Sequence, residues 1–375
     1  MSDLKKLQPL KWVNDGYTLG YEDEKAVFIL GAIPEEIVEC EIVSENKKND
    51  FYKVVNVLSS SESRTSSDCE IFLECGGCSF RHIKYSDEII LKKSLLEKEL
   101  KFHLKEKFIP EIQIFFKKET GYRNNVQLKM KNSKIGFFKL GTNELVELPK
   151  TGCKNLSHEM NSYIKNKKFD SPEIKLRIFE NKIFQYEKEE SKLNFMKLQF
   201  LIPPNGFFQI NQFMLEDWIL KIQNSIGIKQ SQILELFSGC GLISLCIAKN
   251  TNRLFAYELD KNSVEYGAYN AEKNKISNLK FIQKNLFKDK ISEDHLRSDL
   301  YIMNPPRNGL GNLVIEQILK YLPKRLFYSS CNYITLTQDL KKLTNFYKIE
   351  TVEIFDFFPR TPYFESFVIL NKIET

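Results

Sequence analysis

The chain has 375 residues, of which 42% are hydrophobic and 28% are charged, and its formal net charge is +6. This length predicts two or three domains with a large core, and the composition is ordinary for a globular protein. The first residues lack the apolar core of a signal peptide, and no stretch approaches the roughly 20 apolar residues of a membrane span. A cytoplasmic location without a membrane partner is therefore expected.

Positive charge is concentrated in the middle of the chain. Residues 101–150 contain 11 Lys and Arg against 5 Asp and Glu, whereas residues 1–50 contain 6 against 11. A basic central segment fits a polyanionic partner, although scattered surface lysines would give the same count.

The first 60 residues predict a small β-barrel of the OB type, because several short strands with turn signals between them follow one another. The predicted strands are at residues 26–30, 37–43 and 52–57. The spacing of small and apolar residues here resembles the TRAM domain, an RNA-binding module; a purely structural barrel is the alternative. The residues that carry this resemblance are Gly16, Gly20, Val27, Phe28, Gly31, Ala32, Pro34 and Glu36.

Three of the eight cysteines fall within ten residues, in the pattern Cys69-x5-Cys75-Gly-Gly-Cys78. In a cytoplasmic chain such a group favours a metal site over disulfides, and the two glycines allow the backbone to wrap closely. The nearest candidate downstream for a fourth thiolate is Cys153. Because zinc and an iron–sulfur cluster both accept four thiolates, the residues alone leave the metal open.

The segment 61–200 predicts a central α+β domain. Residues 86–104 have the pattern of a helix that Ser86 could cap. Strands are predicted at 121–131 and 134–139, where aromatic residues alternate with lysines. Such residues can stack on bases and pair with phosphates, or they can simply form a core.

The segment 201–375 predicts a Rossmann-like domain. An apolar strand at 233–237 leads into a turn that contains Gly239 and Gly241, which would let the backbone approach a ligand closely. The next strand ends in Glu258, where an acid can bind ribose hydroxyls. A later strand ends at Asn304, before two prolines.

Cys331 stands where a short apolar strand ends and a helix begins. The carboxyl edge of a sheet is where α/β enzymes carry reactive groups, so this thiol is a candidate nucleophile, with a buried structural cysteine as the alternative. Downstream, Glu365 directly precedes another predicted strand, at 366–370.

Three motifs together resemble the RNA uracil-5-methyltransferase family: Asn304-Pro-Pro-Arg, Ser-Ser-Cys331-Asn and Phe358-Pro-Arg-Thr…Glu365. The resemblance covers nearly the whole chain. It implies S-adenosylmethionine (SAM) as methyl donor, Cys331 as nucleophile and Glu365 as general base. The SAM contacts that it implies are Gln209, Phe237, Gly239, Gly241, Glu258 and Asn304.

The cysteine spacing resembles the branch of this family that combines a TRAM domain with a [4Fe–4S] cluster. That likeness implies a cluster, with zinc as the second choice, on Cys69, Cys75, Cys78 and Cys153. It also implies RNA as the partner, with 23S ribosomal RNA as the first substrate and transfer RNA as the second, and a monomer.

The proposed chemistry explains why a thiol and a base are needed together. Carbon 5 of uracil is too weak a nucleophile to attack a methyl group, and addition of a thiolate to carbon 6 converts the ring into a reactive enolate. A base must then remove the proton from carbon 5 so that the thiolate can leave.

Two alternatives come from other function classes. The family normally has Asp where this chain has Asn304, and an Asn-Pro-Pro sequence is also typical of amino-group methyltransferases. The other alternative is a non-catalytic RNA-binding factor that keeps the fold.

Overall fold

The N-terminal strands form one sheet. A computed structural model describes residues 4–46, 49–105 and 107–374. The first strands are β1 (Lys5–Leu7), β2 (Lys11–Trp12), β3 (Tyr17–Glu22), β4 (Lys25–Leu30), β5 (Ile37–Glu45) and β6 (Asp50–Ser59). Their order in the sheet is β1-β5-β6-β4-β3-β2, and a short 3-10 turn, Asn14–Gly16, joins β2 to β3. The three predicted strands thus lie in β4, β5 and β6, while the identification of this sheet as a TRAM barrel stays a prediction.

Alternating side chains give this sheet its core. Val27 and Ile29 of β4 are fully buried, and Val38 and Cys40 of β5 pack in the same cluster. In a strand, every second side chain faces the same side, so this alternation directs one face inward. Cys40 is therefore a core residue, as expected.

Helix α1 (Tyr85–Leu104) packs on the C-terminal sheet, and strand β7 (Ile112–Phe115) is part of that sheet. Both lie in the segment 61–200, which is predicted as the central domain. Strand β7 pairs in parallel with residues 352–355. Leu96 and Leu100 of α1 share one hydrophobic core with the C-terminal domain. Lys84, rather than Ser86, precedes the first turn of the helix, and no side chain caps it.

The central sheet has the order β10-β9-β8-β11-β12 and is antiparallel throughout. One helix, α2, packs on it through Met160 and Ile164. A two-stranded hairpin of β13 and β14 follows. The elements are β8 (Asn125–Lys131), β9 (Lys134–Phe138), β10 (Leu145–Glu147), α2 (His158–Asn166), β11 (Glu173–Phe179), β12 (Lys182–Gln185), β13 (Ser191–Phe195) and β14 (Leu198–Ile202).

The C-terminal domain is an eight-stranded sheet with helices packed on it. Its strands, besides β7, are β15 (Gln230–Leu236), β16 (Thr251–Glu258), β17 (Leu279–Gln283), β18 (Leu300–Met303), β19 (Arg325–Ser330), β20 (Tyr347–Phe355) and β21 (Glu365–Lys372). Its helices are α3 (Gln212–Ile226), α4 (Leu242–Ile247), α5 (Lys261–Lys273), α6 (Glu293–Leu296), α7 (Asn312–Tyr321) and α8 (Tyr333–Leu343).

The order of this sheet, β17-β16-β15-β18-β19-β21-β20-β7, confirms the Rossmann-like prediction. Strands β15 to β19 are parallel, and only β21 is antiparallel to both of its neighbours. The chain runs outward in both directions from β15 and β18. Ligands of such sheets bind at this switch point, outside the carboxyl ends of the strands. Among the described residues, no helix is long and apolar enough to cross a membrane.

Candidate active site

A cavity of about 770 Å³ opens at the carboxyl ends of the parallel strands. Most of the residues predicted for SAM binding and catalysis line it, although they come from distant parts of the chain. The predicted residues in its wall are Gln209, Phe237, Gly239, Glu258, Asn304, Cys331 and Glu365. The sheet therefore brings seven of the eight together at one place.

Gly241 is the predicted residue that does not line the cavity. It immediately precedes α4 and has φ of +91°, a conformation that side chains disfavour. A Cβ atom here would lie 2.5 Å from Cζ of Phe281, on the neighbouring strand β17. Close packing of helix against sheet thus explains this glycine.

The turn after β15 is tied to the end of β16 by one carboxylate. Oε2 of Glu258 accepts a hydrogen bond of 2.9 Å from the amide of Gly239. Its Oε1 accepts from the amides of Leu259 and Asp260, at 2.7 and 2.9 Å. Phe237, in the same turn, has φ of +65°. A carboxylate held by three amides keeps a fixed orientation toward the cavity.

Cys331 and Glu365 meet because β19 and β21 are antiparallel neighbours. The last paired residues of this ladder are Ser330 and Ser366. Cys331 follows the first of them and Glu365 precedes the second, so the thiol and the carboxyl group project at the same sheet edge. Asn332 then caps α8, since its Oδ1 accepts a hydrogen bond of 3.2 Å from the amide of Ile334.

Burial sets the protonation state of both groups. Glu365 is 2% exposed, and its Oε1 atom has no hydrogen-bond partner among the described residues. Desolvation raises the pKa of Glu365 to about 8. Burial, and then the charge of Glu365, raises the pKa of Cys331 to about 12, and Arg307 opposes this rise. The free enzyme at neutral pH therefore holds protons on both groups.

Arg307 supplies the positive charge at the mouth of the cavity. Its guanidinium carbon lies 4.4 Å from the ring centroid of Tyr363, a cation–π distance. The carbonyl of Arg307 accepts hydrogen bonds from Asn332 Nδ2 at 2.8 Å and Thr335 Oγ1 at 3.1 Å. These hydrogen bonds connect the segment that follows β18 to the segment that follows β19, next to Cys331.

Comparisons with known proteins agree with this geometry. The profile of the tRNA (uracil-5-)-methyltransferase family matches residues 177–373. An uncharacterized RNA methyltransferase of Leptospira interrogans is 35% identical over 98% of this chain and 94% of its own length. The tRNA (uracil(54)-C(5))-methyltransferase of Schizosaccharomyces pombe is 25% identical over 98% of this chain and 78% of its own. The chain belongs to the tRNA (uracil-5-)-methyltransferase family.

This methyltransferase shares its fold with a solved relative. The Pyrococcus abyssi tRNA (uracil-54, C5)-methyltransferase, solved with S-adenosyl-L-homocysteine, superposes with a TM-score of 0.77 at 20% identity. The alignment covers 97% of this chain and 99% of the relative. Family membership makes the protein a SAM-dependent enzyme that methylates carbon 5 of uracil in RNA. Family membership therefore argues against both alternatives, an amino-group methyltransferase and a non-catalytic RNA-binding factor.

The cavity of the methyltransferase suits SAM. The rings of Phe237 and Phe287 lie 5.7 Å apart on its wall, where an adenine can contact them. The Oγ atom of Ser238 is buried and has no hydrogen-bond partner among the described residues. Apolar walls with a few free polar atoms are typical of small-molecule sites.

Sequence reasoning did not find Glu235, which lines the inner part of the cavity. It is 2% exposed, accepts a hydrogen bond from the hydroxyl of Ser244, and burial raises its pKa to about 8. The sequence signal that could have identified Glu235 is that it is a lone acid within an apolar strand. Phe207 was also missed; this 76% exposed ring also lines the cavity.

A buried lysine anchors the loop that leads to Glu365. Lys92 of α1 donates hydrogen bonds to Glu88 at 2.7 Å, to Asp356 at 2.8 Å and to the carbonyl of Phe358 at 3.1 Å. All three charged side chains are fully buried. Helical periodicity does not predict this burial, because it cannot show that a lysine has two buried acid partners.

The four predicted metal ligands line a second, small pocket of about 30 Å³. Within it, Cys78 Sγ accepts hydrogen bonds from Asn155 Nδ2 at 3.2 Å and from Arg81 Nε at 3.4 Å. Burial raises the pKa of Cys75 to about 12. No group of three or more His, Cys, Asp or Glu side chains in the described part of the chain is arranged to hold a metal ion.

The described residues of the basic segment 101–150 are divided between two parts of the fold. Its residues belong partly to the C-terminal domain and partly to the central sheet, and several of its lysines have acidic partners. The pairs are Lys101–Glu97, Lys117–Asp217, Lys129–Glu173, Lys134–Glu147 and Lys139–Glu144.

Proposed function

We propose that this enzyme methylates its uridine through a covalent bond between Cys331 and carbon 6 of uracil, with Glu365 as the general base. The observation that carries the proposal is that one cavity wall holds both a thiol and a buried carboxyl group, one oxygen of which has no hydrogen-bond partner among the described residues. A family member needs both groups only if carbon 5 must be activated and then deprotonated.

The reaction proceeds in three steps on the chain's own residues. Cys331 gives its proton to water, and its thiolate, which the positive charge of Arg307 stabilises, adds to carbon 6. The electron pair of the carbon 5–carbon 6 double bond moves onto the ring carbonyl, which gives an enolate. Carbon 5 of this enolate then takes the methyl group that SAM supplies, and S-adenosylhomocysteine leaves. Finally, ionised Glu365 removes the proton from carbon 5, the double bond re-forms, and the thiolate leaves.

The target base must be outside any RNA stack to reach Cys331. Enzymes that modify a base extrude it into the active-site pocket. We assign the SAM contacts to the cavity wall formed by Gln209, Phe237, Gly239, Glu258 and Asn304.

RNA containing 5-fluorouridine tests the covalent step. Fluorine on carbon 5 cannot leave as a cation in the way that a proton does, so elimination is blocked. An adduct that survives denaturation should therefore accumulate when SAM is present. It should be absent with Cys331→Ala, which should also stop methylation of ordinary RNA. If Cys331→Ala still methylates ordinary RNA, the thiol is not the nucleophile.

The RNA substrate is 23S ribosomal RNA in our proposal, with transfer RNA as the second candidate. The likeness of the cysteine pattern to the cluster-containing branch favours ribosomal RNA. The relatives from S. pombe and P. abyssi are named for uridine 54 of transfer RNA, which favours the second. The test is the 5-methyluridine content of both RNA fractions in cells without the gene, before and after complementation. Restoration in transfer RNA alone would reject the first choice.

We further propose a [4Fe–4S] cluster on Cys69, Cys75, Cys78 and Cys153. In a cluster each thiolate binds a different iron, and N–H donors near the sulfurs, here Asn155 and Arg81, are typical of such sites. Protein purified without oxygen should contain iron and acid-labile sulfide, and Cys78→Ser should lose both. Zinc without sulfide would reject the cluster. Its role is structural, since no step of the methyl transfer requires electron transfer.

A further inference from the structure

The turn between β2 and β3 of the N-terminal sheet lies against both catalytic segments. The hydroxyl of Tyr363 donates a 2.9 Å hydrogen bond to Oδ1 of Asp15. The hydroxyl of Tyr333 donates to Oδ1 of Asn14, at 3.4 Å. Tyr333 follows Cys331 by two positions, and Tyr363 precedes Glu365 by two. The turn that contains Asn14 and Asp15 thus contacts one residue two positions after the proposed nucleophile and one residue two positions before the proposed base.

These tyrosines also contact the catalytic neighbourhood directly. The ring of Tyr333 stacks on Phe364 with centroids 5.2 Å apart and planes 11° from parallel, and Phe364 is joined to Glu365. The guanidinium carbon of Arg307 lies 4.4 Å from the ring centroid of Tyr363. The charge of that guanidinium favours the thiolate of Cys331. The contacts therefore run from Asp15 through Tyr363 to Arg307, whose charge acts on the thiol of Cys331.

The turn itself is held firmly in place. Asp15 and Gly16 have φ of +60° and +81°, and a Cβ atom on Gly16 would lie 2.6 Å from Cβ of Ser79. The amides of Ser79 and Phe80 both donate to the carbonyl of Arg360, at 3.0 and 3.1 Å. Because the turn packs against a segment that is bonded to the Glu365 loop, its position relative to the active site is fixed.

We infer that Asp15 is a positioning residue for methyl transfer: it holds Tyr363, which fixes the Arg307 guanidinium beside Cys331. The N-terminal part of the chain then contributes a residue that positions the active site. The inference rests on the proposed role of Cys331 as nucleophile. Asp15 is exposed, so its hydrogen bond adds little to folding stability, and its loss should act on the rate.

The test compares Asp15→Gly with Asp23→Gly. Both positions are exposed acids of the N-terminal sheet with positive φ, which glycine adopts without strain, and Asp23 lies in the turn between β3 and β4. The first readout is the rate at which iodoacetamide alkylates Cys331 as a function of pH, without RNA, followed by mass spectrometry of the Cys331 peptide. The second is the single-turnover rate of methylation against RNA concentration.

Asp15→Gly should slow both alkylation and turnover about tenfold, while the RNA concentration for half-maximal rate changes less than twofold. Asp23→Gly should match the wild type, and Asp15→Asn, which keeps an acceptor oxygen, should restore most of the rate. Adding Tyr363→Phe to Asp15→Gly should cause no further loss, because both changes break the same bond.

Two outcomes would overturn the inference. Unchanged alkylation with a raised RNA requirement would make the turn an RNA contact only, and additive losses in the double variant would separate Asp15 from Tyr363. Failure of the proposed function gives a different signature, which is the absence of a 5-fluorouridine adduct in the wild type.

Discussion

Ser330 and Ser366 face each other across the antiparallel ladder of β19 and β21. Cys331 and Glu365 are the residues next to this last pair, one after the end of β19 and one at the start of β21, and both line the same cavity. Because β21 runs against its neighbours, its first residue lies at the edge where the parallel strands end. Glu365, at the start of β21, therefore lies at the same sheet edge as the residues that follow the ends of the parallel strands.

The raised pKa of Glu365 predicts that methylation depends on pH. The carboxyl group acts as a base only after it has lost its proton, and burial delays that loss to about pH 8. The rate at which methylated RNA is released from its covalent adduct with Cys331 should therefore rise about tenfold per pH unit below this value and level off above it, whereas formation of the adduct also depends on ionisation of Cys331. SAM affinity measured by calorimetry over the same range is the control. A rate that is constant from pH 6 to 9 would show that Glu365 has an ordinary pKa or is not the base.

Glu365→Gln separates bond formation from elimination. The amide fills the same space but cannot accept the proton from carbon 5, so methylated RNA should remain attached to Cys331. We expect a denaturation-resistant adduct with ordinary RNA and SAM, and turnover reduced by about 10²- to 10⁴-fold. Free methylated RNA produced at the normal rate would contradict this role.

Glu258→Gln should weaken SAM binding. The carboxylate organises the turn at Gly239 and carries the charge that would bond the ribose, and a charged hydrogen bond contributes about 1.5–3 kcal/mol. The Kd for SAM should increase about 10- to 100-fold, measured by calorimetry. Glu265→Gln, an exposed acid on the following helix, should leave this Kd unchanged. Equal effects of the two substitutions would rule out a specific contact.

Gly241→Ala should destabilise the fold even though Gly241 lies outside the cavity. The new methyl group would meet Phe281 at 2.5 Å in an unfavourable backbone conformation, for a loss of about 2–4 kcal/mol. Gly141→Ala is the control, because Gly141 also has positive φ but has open space around its Cβ position, so about 1 kcal/mol is expected. Urea unfolding measures both, and equal losses would show that steric overlap is unimportant.

Glu235 makes stability depend on pH in a defined direction. The folded protein keeps the proton of Glu235 up to about pH 8, whereas the unfolded chain releases it near pH 4.5. Between these values the free energy of unfolding should fall as pH rises, by about 1.4 kcal/mol per unit for this group. Glu235→Gln cannot titrate and should make the slope between pH 5 and 8 shallower by about 1.4 kcal/mol per unit, while the contribution of Glu365, whose pKa burial also raises, remains. Identical slopes for both proteins would contradict the raised pKa.

The sequence predicted the candidate site better than it predicted how the chain is divided among the sheets. Cys331 and Glu365 were identified from motifs, and seven of eight predicted cavity residues lie in one wall. Strand β7 could not be assigned to the C-terminal sheet from its sequence, because four residues, three of them apolar, carry no information about which distant strand they pair with. Lys92 was missed for a similar reason, since one of its two acid partners, Asp356, lies 264 residues away in the sequence.

By itself the sequence predicted the chemistry, because nucleophile, base and strand-end motifs are local patterns of a few residues each. It also determined the alternation of parallel strands and helices, which follows from periodicity and glycine turns. Only the tertiary structure decided that Glu365 is buried with one carboxyl oxygen unpartnered among the described residues, that Arg307 lies on Tyr363, and that Asp15 accepts a hydrogen bond from Tyr363. Burial, charge neighbours and contacts between remote segments depend on how the whole chain packs, and no local pattern contains that information.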